Sequence, residues 1–345
     1  MISFIPTAYL PKDVPRELLH TIDKACERVY TKILNLDYTT IASNEYAKEY
    51  FAKKHVARLH FSLESAAYIL LWTLSKTNKP LQDTLLVEYG AGLGTLYLVA
   101  AEAGLQVVYN DIASEWCEQS KIMANTLGIS IQEFVCGTGT DVSRTIQSHN
   151  WKCDIVASRN VIEHIPDYKQ HISELKPLAN PSLVIFDTTS ANHANLLVRY
   201  YHQYLHHKSR PVFTQQRLEY IQKHFPEFSI EEGTRIAEHT QGYGGNNLVQ
   251  VINTYKNNQQ LPQKAYSKTN VCEPNHSSWS ERLESVEWYK DCMESNGFAF
   301  DYLPGFWDTH YTAGWKNTIG KVINKQLDTS SDANKSPFIA FMGSM

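Results

Sequence analysis

The sequence predicts an α/β protein built on a doubly wound parallel sheet. Short apolar runs alternate with helical patterns from Leu85 to Phe186. Strands alternating with helices of about 10–15 residues mean βαβ units and a parallel sheet. A glycine-rich turn also follows the first run, in Glu88-Tyr89-Gly90-Ala91-Gly92-Leu93-Gly94-Thr95. Glycines accept positive φ and let a ligand approach the backbone closely.

Residues from Pro15 to Asn78 read as helices. Leu18, Leu19, Ile22 and Cys26 recur at helical spacing, as do Leu63, Ala66, Ala67, Leu70, Leu71 and Leu74. Residues 1–80 are therefore expected to form a helical N-terminal extension. Leu85–Val87 is predicted as strand 1, Leu105–Tyr109 as strand 2, Ile129–Val135 as strand 3, Cys153–Ser158 as strand 4 and Leu183–Phe186 as strand 5. Helices are expected over Thr95–Ala103, Ser114–Leu127, Asp141–Ser148 and Asp167–Leu175, with Gly104, Gly128 and Pro177 as stop signals. After Ser190 the rhythm breaks, and residues 191–278 read as an insertion that serves as a substrate or cap region. The pattern resumes with a helix over Trp279–Ser295, a strand over Phe298–Leu303 and a last strand over Pro337–Met342. Residues 81–190 and 279–345 would then form one core.

The 345 residues are 43% hydrophobic and 12% aromatic, enough for a large core, with a net charge of −4. That balance argues against a nucleic-acid partner, which selects a basic face. The six cysteines never form CxxC, and Cys136 and Cys153 read as small buried residues inside strands. A reducing cytoplasmic location is expected. The longest apolar stretch, Ala66–Leu74, is too short for stable membrane insertion.

The turn alone fits either a dinucleotide or a methyl donor. Asp111, closing strand 2, suits both, since each uses an acid there to accept from ribose hydroxyls. The third glycine, Gly94, comes one residue earlier than a pyrophosphate turn favours. Glu88 would repel a pyrophosphate and suits an amine-bearing ligand.

With Glu88–Gly94 and Asp111, a third stretch makes the pattern specific: Cys153-Asp154-Ile155-Val156-Ala157-Ser158-Arg159-Asn160-Val161-Ile162-Glu163-His164-Ile165-Pro166-Asp167. Together they resemble class I S-adenosylmethionine-dependent methyltransferases of the small-molecule branch. The resemblance implies a Rossmann-like, doubly wound seven-stranded sheet with a terminal antiparallel hairpin, and it covers neither the N-terminal helices nor the insertion after strand 5. It implies S-adenosyl-L-methionine as cofactor and a small-molecule or glycan acceptor methylated on O, N or S. Glu88, Gly90, Ala91, Gly92 and Gly94 would hold the methionine part, Asp111 the ribose, and Thr138 or Asp141 would lie near the adenine. Arg159 and Asn160 would border the methyl-transfer face. His164 is the candidate general base, ahead of His60, His193, His239 and Tyr243. Arg58, Arg159, Arg199 and Arg235 are candidates for an anionic acceptor. His202, His206 and His207 include a helical i, i+4 pair, but no metal site is assigned. A non-catalytic binding protein and a dinucleotide oxidoreductase are the alternatives.

Overall fold

The sheet assembles from strands whose side chains are apolar on both faces. The structure, a computed structural model, describes residues 3–6, 9–42, 45–51, 55–77, 79–264, 271–275 and 280–345. The strands are β1 (Leu85–Tyr89), β2 (Gln106–Asp111), β3 (Glu133–Cys136), β4 (Ile155–Arg159), β5 (Val184–Thr189), β6 (Ala299–Pro304) and β7 (Ile339–Ser344). They form one seven-stranded sheet in the order β3-β2-β1-β4-β5-β7-β6. The first five are parallel, and β7 runs antiparallel to both β5 and β6. The order reverses at β1, so the crevice beyond the carboxyl ends of β1 and β4 is the switch point where such sheets bind ligands.

Alternate strand residues feed two cores. Leu86, Val107, Tyr109, Ile155, Ala157 and Phe186 join one cluster with α1 (Arg16–Leu34), α4 (Leu59–Leu74), α5 (Leu96–Glu102) and α6 (Ser114–Thr126). Leu85, Val87, Val108, Val156 and Ile185 join the other with α7 (Gly139–Ser148), α8 (Tyr168–Leu175) and α12 (Val286–Glu294). Two short helices, α2 (Tyr38–Ile41) and α3 (Glu45–Tyr50), link α1 to α4. α4 is buried along nearly its whole length and on every face from Leu63 to Leu74. A helix apolar all round is a core helix. The N-terminal helices thus share the main core.

Between β5 and β6 lie α9 (Leu196–His224), α10 (Ile230–His239) and α11 (Gly245–Asn258), which pack around Ile221, Phe225, Ile236, Leu248, Ile252 and Tyr255. A final helix, α13 (Gly314–Asn324), joins β6 to β7.

Three sequence expectations shift. Strand 3 begins at Glu133, because the Ile129 amide still closes the end of α6 on the Ala124 carbonyl. Cys136, expected inside, is exposed at the end of that strand. The helix expected from Trp279 starts at Val286. Trp279, like Asn78 at the expected end of the first helical region, lies outside the described residues. Residues 280–285 instead run along the turn after β4, where the Arg282 amide donates to the Glu163 carbonyl.

The glycine cluster 242–245, which could read as a mobile lid, is anchored. Arg217 is fully buried, and its guanidinium donates to the carbonyls of Tyr243 at 2.7 Å and Cys272 at 3.0 Å. Its loss strands those carbonyls and leaves a cavity. Arg217→Ala should therefore lower stability by about 3 kcal/mol or more, read from urea denaturation. An unchanged midpoint would show that the arginine does not hold this loop.

Candidate functional site

The turn after β1 is shaped by what its glycines must avoid. Gly90 has φ +63°, and a Cβ there would stand 2.6 Å from Val161 Cγ1. At Gly94 a Cβ would meet the Ala91 carbonyl at 2.7 Å. Neither position admits another residue without moving the backbone. Above Gly92 there is room, the nearest atom being Asp111 Oδ2 at 4.0 Å.

The turn is pinned to the end of β2. Ala91 N–H donates to the Asn110 carbonyl at 2.8 Å, and Gly92 N–H to Asp111 Oδ2 at 2.8 Å. The other Asp111 oxygen accepts from Ala113 N–H at 2.9 Å. Burial raises the Asp111 carboxyl, against the amides of Ala113, Gly92 and Ile112, which lower it. The Gly92 carbonyl is held in turn by the hydroxyls of Tyr109 at 2.9 Å and Ser120 at 2.6 Å.

Glu88 is not at the mouth of this turn but beneath it. It is 1% exposed and accepts from Tyr97 N–H at 2.6 Å, in the first turn of α5. Burial raises its carboxyl to about 8, although Arg159 and the Tyr97 amide pull the other way. It supports the glycine turn from the sheet side.

After β3, Thr138 and Asp141 form a capping box at the start of α7. Thr138 N–H donates to Asp141 Oδ2 at 2.9 Å, and Arg144 donates to its partner oxygen at 3.0 Å. The Asp141 carboxylate is thus engaged in capping. Asn160, just past β4, adopts φ +54° and donates its N–H to the Thr188 carbonyl at 3.0 Å. Asparagine tolerates that conformation better than most residues. Asp187, a candidate only for structure, accepts from Ser158 at 2.6 Å and Tyr168 at 2.7 Å.

A cavity of about 590 Å³ opens beside the turn, beyond β4 and β5. Leu93 forms one edge, and Arg159, Asn160, Thr188 and Ser190 form its floor. Phe61, Ser62, Ser65, Tyr68 and Ile69 of α4 cover it, and Trp307, Asp308, Tyr311 and Phe338 close the far side. His55 and Arg58 complete the wall. Arg159 donates to the Ser62 hydroxyl at 2.7 Å, and Arg58 pairs with Asp308 at 3.2 Å. His55 is buried against the Leu93 backbone, and burial together with Arg159 lowers it to about 4.

The fold therefore gathers Gly90, Ala91, Gly92, Gly94 and Asp111 in one cradle, with Arg159 and Asn160 at its border. Thr138 and Asp141 stand one strand further out. His164 lies in the turn after Glu163 and is not among the cavity's lining residues. Of the four arginines only Arg58 and Arg159 reach the cavity. Arg199 lies over the Tyr200 ring, and Arg235 over Tyr255. His239 bonds the Pro262 carbonyl at 2.9 Å, inside the insertion. His202 is held by the Ser190 carbonyl and by Glu281, each at 3.0 Å.

The sequence gives no sign of His55, Trp307, Asp308 or Tyr311, because no motif marks them. Nor does it signal that His60, Glu64 and His310 meet. No lining residue comes from the described residues of 191–278.

The strand order with its antiparallel end defines the class I methyltransferase fold. Residues 87–185, which contain the glycine turn, Asp111 and the β4 turn, match the family of the methyltransferase domain. That stretch is thus similar to methyltransferase domains, a family that S-adenosylmethionine serves as cofactor. No curated protein sequence matches the chain. Among solved structures, YcgJ of Bacillus subtilis is 13% identical, with a TM-score of 0.38 over 83% of this chain and 98% of that one. Magnesium protoporphyrin IX methyltransferase of Synechocystis, solved with bound SAH, is 12% identical, with a TM-score of 0.40 over 94% and 95%. The CurJ carbon methyltransferase is also 12% identical, with a TM-score of 0.40 over 95% of this chain and 66% of that one.

The cradle fits the cofactor. The space above Gly92 admits a close ligand, and the Asp111 carboxylate beside it can also accept from a ribose hydroxyl.

The buried Glu88 makes stability pH-dependent. Its folded value of about 8 lies above the usual 4.5. The folded chain then holds a proton that the unfolded chain has released, so stability falls as pH rises across that window. His55, His60 and His171, each lowered to about 4 chiefly by burial, act oppositely from there up to their ordinary 6.5. Above pH 6.5 the carboxyl effect remains. Glu88→Gln should flatten the decline in urea midpoint between pH 6.5 and 8; identical slopes in the two proteins would mean that Glu88 is ionised throughout.

Proposed function

We propose that the chain transfers a methyl group from S-adenosylmethionine to an oxygen, nitrogen or sulfur of a small molecule or glycan seated in the cavity. The observation that carries this reading is the junction itself: the cavity shares the Leu93 edge of the glycine turn and the Arg159–Asn160 turn. At about 590 Å³ it falls within the ~300–1,000 Å³ of small-molecule sites.

Bound S-adenosylmethionine supplies a methyl group already activated on a sulfonium. The chain's own residues then bind, align and exclude water. Gly90–Gly94 and Asp111 would hold the donor, with Thr138 flanking its adenine. Glu88 would act beneath the turn as a positioning residue. Alignment can supply roughly 7–11 kcal/mol in favourable cases. α4 and the 304–311 segment close the cavity over the floor strands, which supports exclusion of water from the transfer. His55 is better placed than His164 to touch an acceptor, since it lines the wall beside Leu93.

Residues 1–80 would form the cap, 81–190 and 279–345 the catalytic core, and 191–278 an insertion that buttresses the floor through Ser190. The six free cysteines favour a reducing cytoplasm. No helix among the described residues is long and apolar enough to cross a membrane.

Asp111→Ala should weaken donor binding by about 1–3 kcal/mol in isothermal titration, and an unchanged affinity would exclude it from the site. Ser65→Trp fills the cavity under α4. With radiolabelled donor and a small-molecule extract, it should abolish methyl transfer while leaving donor affinity within about twofold. Undiminished transfer would place the acceptor elsewhere. Donor binding by the wild type without transfer to any fraction would favour a non-catalytic binding protein.

A further inference from the structure

α4 carries His60 and Glu64 one helical turn apart, on a face adjacent to the one that Ser62 and Ser65 turn to the cavity. Residues at i and i+4 lie side by side on a helix. The segment between β6 and α13 brings His310 against them. His310 Nε2 stands 3.1 Å from Glu64 Oε1, and His60 Nδ1 stands 3.9 Å from the same oxygen. One ligand atom from each of the three residues lies within 4.8 Å of the others.

The surroundings favour a ligand role over a simple ion pair. His60 Nδ1 is buried and makes no hydrogen bond. Its ring is fixed between His310, at 3.5 Å between centroids, and Phe4, at 4.5 Å. Glu64 is 7% exposed, and a carboxylate so buried is costly without a cationic partner. Asp308 fixes the loop by accepting from His310 N–H at 2.9 Å while pairing with Arg58.

We propose that His60 Nδ1, Glu64 and His310 Nε2 form a zinc-type divalent metal site that clips the 305–311 segment to α4. Two imidazoles and a carboxylate are a donor set that zinc accepts, with water as a fourth ligand. Metal–ligand distances of about 2.0–2.2 Å need the three atoms to draw together by about 1 Å. His310 is partly exposed and supplies that movement from a loop. Binding replaces the direct His310–Glu64 contact with bonds to the ion. The ion lies behind the cavity wall, so its effect is structural: it fixes Asp308 and Tyr311, which line the cavity. This site stands independently of the methyl-transfer reading.

The test is titration of Zn²⁺ into the full, metal-stripped chain by calorimetry, beside thermal unfolding with and without Zn²⁺. The expected result is one equivalent bound and a raised unfolding midpoint. His310→Ala and Glu64→Gln should each weaken binding at least about 100-fold, at or beyond the ~10–100-fold lost with an outer partner. His149→Ala, an exposed histidine far along the chain, should leave it unchanged. His310→Asn keeps the side-chain volume and serves if the alanine variant does not fold. No uptake by the wild type, or uptake unchanged by the substitutions at Glu64 and His310, overturns the site.

Discussion

The Asp111 carboxylate is the constraint on which the site depends. It closes β2 and receives backbone amides both from the turn after β1 and from the chain entering α6. Charge-assisted bonds of this kind are about twice as strong as neutral ones. They hold two loops from different strands at a fixed separation. The glycines answer other neighbours: a Cβ at Gly90 would meet Val161 of the β4 turn, and one at Gly94 the Ala91 carbonyl of its own turn. The acid proposed to take the ribose is thus the one that shapes the turn, so substitutions here would change both.

A second constraint comes from α4. A helix buried on every face has to be surrounded, and here the sheet, α1, α5 and the strand-6 end surround it. The Tyr68 hydroxyl donates to the Pro304 carbonyl at 2.9 Å, which ties the helix to the last part of the sheet. Its polar positions are then placed by the core and not by local preference. Ser62 faces Arg159 and the cavity, while His60 and Glu64 face the 305–311 segment. One rigid element thus carries both the roof of the cavity and the candidate metal clip.

The sheet and cradle were legible because their signals are local. Strand periodicity, three glycines and a strand-end acid can each be read within a few residues, although Asp111 acts on Gly92 from the next strand. Boundaries slipped where tertiary contacts took over: Ile129 completes α6, and the Arg282 amide bonds to the Glu163 carbonyl before α12 begins. Glu88 was legible as a special residue but not in its orientation. Its charge suggests an amine ligand, whereas its nearest partner is an α5 amide. The cavity was not legible. Its walls join residues more than two hundred positions apart, such as Arg58 with Asp308 and Tyr68 with Pro304. No short motif encodes such a meeting.

The insertion shows how a segment outside the cavity can still bear on it. Glu163, in the turn after β4, is fully buried and accepts from the Ser190 amide and hydroxyl, each at 3.1 Å. The Ser190 hydroxyl also lies 2.8 Å from Glu281, which pairs with His202 of α9. His206, one turn on, meets the Glu281 carbonyl at 2.9 Å. The two histidines of α9 therefore grip the 280–282 segment, and that grip reaches the cavity floor at Ser190. A buried carboxyl is costly unless it is hydrogen-bonded or neutral. Burial does raise Glu163, and it lies beside His164 and Glu281. The β4 turn is thus braced from the insertion side by a polar network, just as the glycine turn is braced from the sheet side by Glu88. Both braces set the edges between which donor and acceptor would meet.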